Sequence, residues 1–181
     1  AGLRAAYPSG RRFWQVFAPA SGIGVEVADE PADRPVWDLG APLRQHLHWL
    51  LSRHGVRLAH GATLGRNGRG VLLLGDGGAG KSGTTLAGLS AGLQTAGDDY
   101  VAVDMRAGIV ARSVFRVLKQ DRAGLDRIGG LAARTAHLPE NWQGKVEFDP
   151  EATFRGASST RSRLPRSCCR GWARRASRAW C

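Results

Sequence analysis

The segment Gly75-Asp-Gly-Gly-Ala-Gly80-Lys81-Ser82 directly follows the apolar run Val71-Leu72-Leu73-Leu74, and few local sequences constrain a fold as tightly. An apolar strand must deliver the chain to a turn whose glycines let successive backbone N–H groups face inward. A helix must then start at once, so that its positive end points into the same hollow. Such a hollow takes phosphate groups. Lys81 stands where an ammonium reaches terminal phosphates and Ser82 where a hydroxyl can hold Mg²⁺, while Gly75, Asp76, Gly77, Gly78, Ala79, Gly80 and Gly83 supply the surrounding backbone. The expectation is an α/β domain that binds ATP with Mg²⁺. With 25 glycines in the chain a chance match is conceivable. Lysine, however, is restricted to Lys81, Lys119 and Lys145, and one of these three fills the required position.

A length of 181 residues suits one domain with a sizeable core. No apolar run is long enough to cross a membrane as a helix and no signal peptide is read at the start, so a cytoplasmic setting is the default and no membrane partner is expected. Residue 1 is Ala, which fits either removal of an initiator or a fragment.

The net charge of +11 invites a nucleic-acid reading until its distribution is considered. From Arg155 onward there are eight arginines and no acidic residue, so the preceding body carries only about +3. All three cysteines, Cys168, Cys169 and Cys181, lie in the same tail, so the body holds neither a disulfide framework nor a cysteine metal site. A basic disordered arm is one reading of 155–181. A shifted reading frame is another. Read one base early, the codon overlapping Cys169 becomes Leu and that overlapping Cys181 becomes Val, whichever codons were used. With G/C-rich codon choice, Ser167 onward then reads approximately LLLPRVGAASLARLV, an ordinary apolar sequence. The tail is therefore expected to be disordered or out of frame beyond about residue 155–160, with no specific nucleic acid as partner.

The body alternates between short elements. Phe13–Phe17 and Gly24–Val27 read as strands, with prolines breaking the chain around them. Pro42 opens a helix in which Leu43, Leu47, Leu50 and Leu51 recur at helical spacing and are expected to face the core, and Gly55 closes it. His46, His48 and His54 on or beside that helix have no metal-ligand pattern and read as solvated or core-edge residues. Arg57–Leu64 and Gly70–Leu74 flank Arg66-Asn67-Gly68-Arg69, a strong hairpin signal. A helix is expected from Lys81 to about Ala91 and a strand over Tyr100–Val103. Ile109–Leu118 and Val146–Phe148 read as extended, and Asp121–Leu138 as helix or loop.

Asp98-Asp99, just before that strand, is the second chemical signal. Phosphoryl transfer needs placed carboxylates, to hold Mg²⁺ and to accept the proton of an attacking hydroxyl. Two adjacent acids alone would read as a solvated turn, but their position after a loop–helix unit favours the functional reading. With His60-Gly61 ahead of the hairpin, the stretch AHGATLGRNGRGVLLLGDGGAGKSGTTLAGLSAGLQTAGDDYVAV, from Ala59 to Val103, resembles the catalytic core of the HPr serine kinase/phosphorylase family in the order of its parts.

That resemblance covers about a quarter of the chain and implies a P-loop kinase core with a mixed sheet and flanking helices. It implies that Lys81 and Ser82 serve phosphates and metal, that His60 lies near the reacting phosphate, that Asp98 is the base, and that Asp99 contacts the metal. Two departures stand out. Gly83 replaces the Glu that members acting on HPr carry after the loop serine, and Gly77-Gly78 stands where Ser-Gly is frequent. The chain is thus more similar to the shorter HPr-kinase-related proteins, which implies a serine or other hydroxyl of a protein or peptide as acceptor. The expected divisions are 1–55, a small strand and helix region, 56–154, the kinase core, and 155–181, the tail. A small-molecule kinase and a non-catalytic ATP-binding regulator are the alternatives, and a homo-oligomer is left open.

Overall fold

The computed structural model describes residues 2–36, 40–106 and 108–165. The protein is α/β and divides into two compact units, Ala1–Leu58 and a second that begins at Ala59.

The first unit holds a three-stranded antiparallel sheet, β1 (Arg4–Ala6), β2 (Phe13–Ala18) and β3 (Ile23–Ala28), in the order β1-β2-β3. Burial alternates along β2. Phe13, Gln15 and Phe17 face inward while Trp14 is half exposed, as a sheet with one covered face requires. Helix α1 (Arg44–Arg53) supplies the cover, with its leucines at most partly buried. Its buried residues are His46 and Trp49, while Leu43 and Leu50 are exposed. The leucine stripe expected to form the core is therefore displaced. The stacked Trp49–Phe17 rings, 6.1 Å apart, and the His46 Nε2 contact to the Val16 carbonyl at 3.1 Å set the rotation of the helix instead.

The division between units falls within β4 (Val56–His60). The strand expected over Arg57–Leu64 is in fact two, since β5 (Ala62–Arg66) begins after Gly61. β5 and β6 (Arg69–Leu73) form the expected hairpin, whose turn residues Asn67 and Gly68 have φ of 53° and 73°. Both values suit a two-residue turn that follows the strand twist. Then come α2 (Lys81–Ser90), β7 (Tyr100–Asp104), β8 (Ile109–Ser113), β9 (Leu118–Asp121), α3 (Arg122–Asp126), α4 (Leu131–Thr135), β10 (Lys145–Phe148), α5 (Pro150–Thr153) and β11 (Arg161–Leu164). The extended run expected from Ile109 to Leu118 thus splits in two, and β9 pairs with β10 in a separate two-stranded sheet.

The main sheet runs β4-β7-β8-β11-β6-β5. Its position for β11 corrects the expected tail. Residues from 155 on are folded as far as Leu164, and β11 lies between β8 and β6. Ser162 and Leu164 are buried while Arg161 and Arg163 are exposed. This period of two is that of a strand with one covered face. Cys168, Cys169, Cys181 and the shifted reading from Ser167 lie outside the described residues.

One core cluster joins Leu64 of β5, Leu86 and Leu89 of α2, Leu118, Leu125, Leu131, Val146, Phe148 and Ala157. Cutting Leu86 back to Ala in such packing costs about 2–5 kcal/mol. Among the described residues no helix is long and apolar enough to cross a membrane.

Candidate functional site

The glycine-rich loop joins the end of β6 to the start of α2 and is exposed from Gly75 to Gly80. Gly78 and Gly80 have φ of 82° and 81°, a region in which a side chain would strain the backbone. Gly80 caps α2 and its carbonyl accepts the Thr84 N–H at 2.9 Å, so the helix begins within the loop itself. The first-turn N–H groups, which lack partners within any helix, are thereby presented at the loop. The Lys81 ammonium is folded over the loop, donating to the carbonyls of Gly75 at 2.7 Å and Asp76 at 3.0 Å.

Ser82, the residue after the loop lysine, lies near enough to Asp98 for its hydroxyl to favour the ionised carboxyl. Asp98 is only 5% exposed. Burial pushes its carboxyl above the ordinary range and the neighbouring Asp99 charge acts in the same direction, against Ser82, the Lys119 N–H and the charge of Lys145. Its Oδ1 is buried without a hydrogen-bond partner. Asp99 has a different setting. Its Oδ1 lies 3.2 Å from His60 Nε2 and its Oδ2 3.2 Å from Lys119 Nζ. Burial acts to raise its carboxyl, but the His60 hydrogen bond and the Lys119 charge and hydrogen bond outweigh it and hold the group below the ordinary range. The His60 ring stacks on Tyr100 at 5.2 Å.

The segment before the acidic pair is held by groups that local sequence patterns do not reveal. Gly65 and Gln94 exchange backbone hydrogen bonds, and the Thr63 and Gly61 N–H groups donate to the carbonyls of Gly97 and Asp99. Residues 94–99 thus extend the sheet along β5. Two buried threonines fix them further. Thr63 Oγ1 accepts the Ala96 N–H at 2.8 Å and lies 3.3 Å from Thr95 Oγ1, which accepts the Gly97 N–H at 3.0 Å. Buried hydroxyls satisfied on several sides define a backbone position tightly. The acidic pair is held on this frame.

His60 and Asp99 are thus paired, Asp98 is adjacent with the Ser82 side chain near it, and Lys81 is folded over the loop that leads into Ser82. Gly83 is beside them, and a Cβ there would lie 3.8 Å from Gln120 Nε2. Lys119, Tyr100, Thr63 and Thr95 escaped sequence reasoning. Lys119 alone carried a signal, being one of three lysines in the chain.

Mg²⁺ can be tested against this donor set. Among the described residues no three His, Cys, Asp or Glu side chains converge as a metal site. Mg²⁺, however, is ordinarily held by one or two carboxylates together with phosphates and water. The Ser82 hydroxyl beside Asp98, whose buried Oδ1 lacks a partner, fits that requirement. No family model and no curated protein sequence matches the chain.

Proposed function

We propose that this chain is an ATP-dependent phosphotransferase with a P-loop kinase core of the HPr kinase type, acting on a serine or other hydroxyl of a protein or peptide. The observation that carries the reading is the nearness of loop and acids: Ser82, the residue after the loop lysine, has its side chain near buried Asp98, and Asp99 beside it is paired with His60. Glycine-rich turns that match by accident have no reason to end on a pair of carboxylates.

In this reading the loop N–H groups and the α2 N-terminus hold the phosphates, and Lys81 exchanges the Gly75 and Asp76 carbonyls for phosphate oxygens. Ser82 and Asp98 hold Mg²⁺, which when bound neutralises charge on the phosphates. The acceptor hydroxyl oxygen forms a bond to the γ-phosphorus as the bond to the β–γ bridging oxygen breaks, and ADP leaves. The hydroxyl proton passes to Asp99, kept ionised by His60 and Lys119. This exchanges the roles that the resemblance implied for the two aspartates. Burial is the reason. Asp98 is too enclosed to meet an incoming polypeptide hydroxyl, whereas the Asp99 side chain is 31% exposed and His60 beside it 48%.

The test is incubation with γ-labelled ATP and candidate proteins or peptides bearing serine hydroxyls, with transfer of label as the expected result. A second reading, a nucleotide-binding regulator, draws on Gly83 standing where a carboxylate is expected, with only Gln120 near it. Tight ATP binding without transfer to any acceptor, and without hydrolysis, would favour the regulator.

A further inference from the structure

Five arginines form an unbroken row across four neighbouring strands of the main sheet. Arg112 of β8 is in register with Arg161 of β11, Arg163 of β11 with Arg69 of β6, and Arg69 with Arg66 of β5. Register partners project from the same face of a sheet, and residues two apart on one strand do so as well, so all five share a face. All are exposed. Like charges directly opposite each other oppose strand pairing, and three such pairs follow in succession. Among the described residues no salt bridge reaches any of the five. The acid at the end of the row, Asp104, is engaged by Arg106 at 2.9 Å. Arg66 reaches only the Ala91 carbonyl, at 3.5 Å. Asp104 feels the charge of Arg112 but is not within ion-pair distance of it. A row of like charges that the fold sustains at a cost, without an ion-pair partner among the described residues, calls for an anionic partner.

We propose that this row is a docking surface for an acidic stretch of another polypeptide. Strands about 4.8 Å apart spread the guanidinium groups over roughly 15 Å, the reach of about four or five extended residues. Carboxylates at alternate positions of such a stretch meet guanidinium forks in paired hydrogen bonds. Val71, two residues along β6 from Arg69 and 43% exposed, adds an apolar shoulder. The row and its neighbours Val71 and Val110 offer no aromatic ring on which bases could stack, which single-stranded nucleic acid would need. Arg69 opens β6 and the phosphate loop follows its other end, about 13 Å on. The surface is thus separate from the nucleotide site and does not depend on its assignment.

Fluorescence anisotropy on the full chain tests this. The probe is a labelled peptide of about ten residues alternating Glu and Gly, long enough to span the row. Labelled oligothymidylate and phosphatidylserine vesicles are the competing probes. The peptide should bind more tightly as salt is lowered, and Arg69→Gln with Arg163→Gln should weaken it at least tenfold. The same pair should melt no lower than the parent, because like-charge contacts are relieved. Should that pair fail to fold, Arg112→Gln with Arg161→Gln serves in its place. Arg53→Gln with Arg127→Gln, an equal loss of charge elsewhere, should leave binding unchanged. Absence of peptide binding, an equal loss in the control pair, or tighter binding of oligothymidylate or vesicles would overturn the proposal.

Discussion

His60 Nε2 lies 3.2 Å from one oxygen of Asp99, and the Lys119 ammonium lies 3.2 Å from the other. Asp98, the adjacent residue, has the same side chain and the opposite fate, its carboxyl raised by burial while that of Asp99 is lowered. In the proposed reading, adjacent carboxylates driven apart in this way take two different tasks.

Lys81→Ala should abolish turnover and weaken ATP binding without unfolding the domain. The ammonium contacts only exposed loop carbonyls, so the core does not depend on it. Loss of one placed electrostatic contact of this kind costs about 2.7–4 kcal/mol in the transition state, a hundredfold or more in rate. Turnover and affinity equal to the parent's would remove the phosphate-loop assignment.

The two aspartates should separate by assay. Asp98→Asn is expected to raise the Mg²⁺ concentration needed for nucleotide binding. Asp99→Asn should bind Mg²⁺–ATP nearly as the parent does and lose transfer by about a hundredfold, the lower end of what a placed proton acceptor contributes. Titration of Mg²⁺ against a fluorescent ATP analogue, alongside label transfer, distinguishes them. The reverse pattern would restore the assignment of Asp98 as base and Asp99 as metal contact.

Thermal stability of the protein without nucleotide or metal should depend on pH in opposite senses at the two positions. A carboxyl raised in the folded state binds its proton more tightly there, so the fold loses stability as pH rises from the ordinary value near 3.9 through the raised one. Asp98→Asn should therefore melt above the parent at neutral pH, with the gap closing as acid is added. Asp99 contributes stability above the ordinary value that is lost as pH falls through its lowered one, so Asp99→Asn should melt below the parent at neutral pH. Melting curves from neutral to pH 3, read by circular dichroism, decide this; an Asp98→Asn gap that widens in acid would contradict the assigned burial effect.

Gly88→Ala should destabilise the second unit, although alanine favours a helix interior by about 1 kcal/mol. A Cβ at Gly88 would lie 2.6 Å and 2.7 Å from the two Leu64 methyl groups, where α2 crosses β5. Overpacking of this kind costs about 1–3 kcal/mol. In a denaturation cycle with Leu64→Ala, the alanine at 88 should become neutral or favourable. Additive costs would mean that the helix does not approach β5 this closely.

The parts legible in the sequence are those decided within a few residues. Asn67-Gly68 fixes its own turn through two positive φ values, and the loop glycines fix the start of α2 in the same way. Spacing alone misled on α1, because leucines at helical intervals mark a face without saying what lies opposite. Phe17 and the Val16 carbonyl select Trp49 and His46. The frame that carries the acidic pair was invisible for a related reason. Thr63 and Thr95 are ordinary residues until the fold brings their hydroxyls within 3.3 Å. β11 was hidden by its composition, since arginine density masked the alternation of Ser162 and Leu164.

The insertion of β11 between β8 and β6 has a consequence for biogenesis. During synthesis β6, which leads into the glycine-rich loop, has β5 as its hairpin partner long before its second neighbour has been made. Pairing over such a separation is slow, and until it happens β6 and β8 each present an open edge to other chains. A nascent chain stalled before Arg161 would carry every residue assigned to the nucleotide site and still lack the strand that closes the sheet beneath it. Chaperone dependence and aggregation of chains truncated in that interval are where this order of assembly becomes visible.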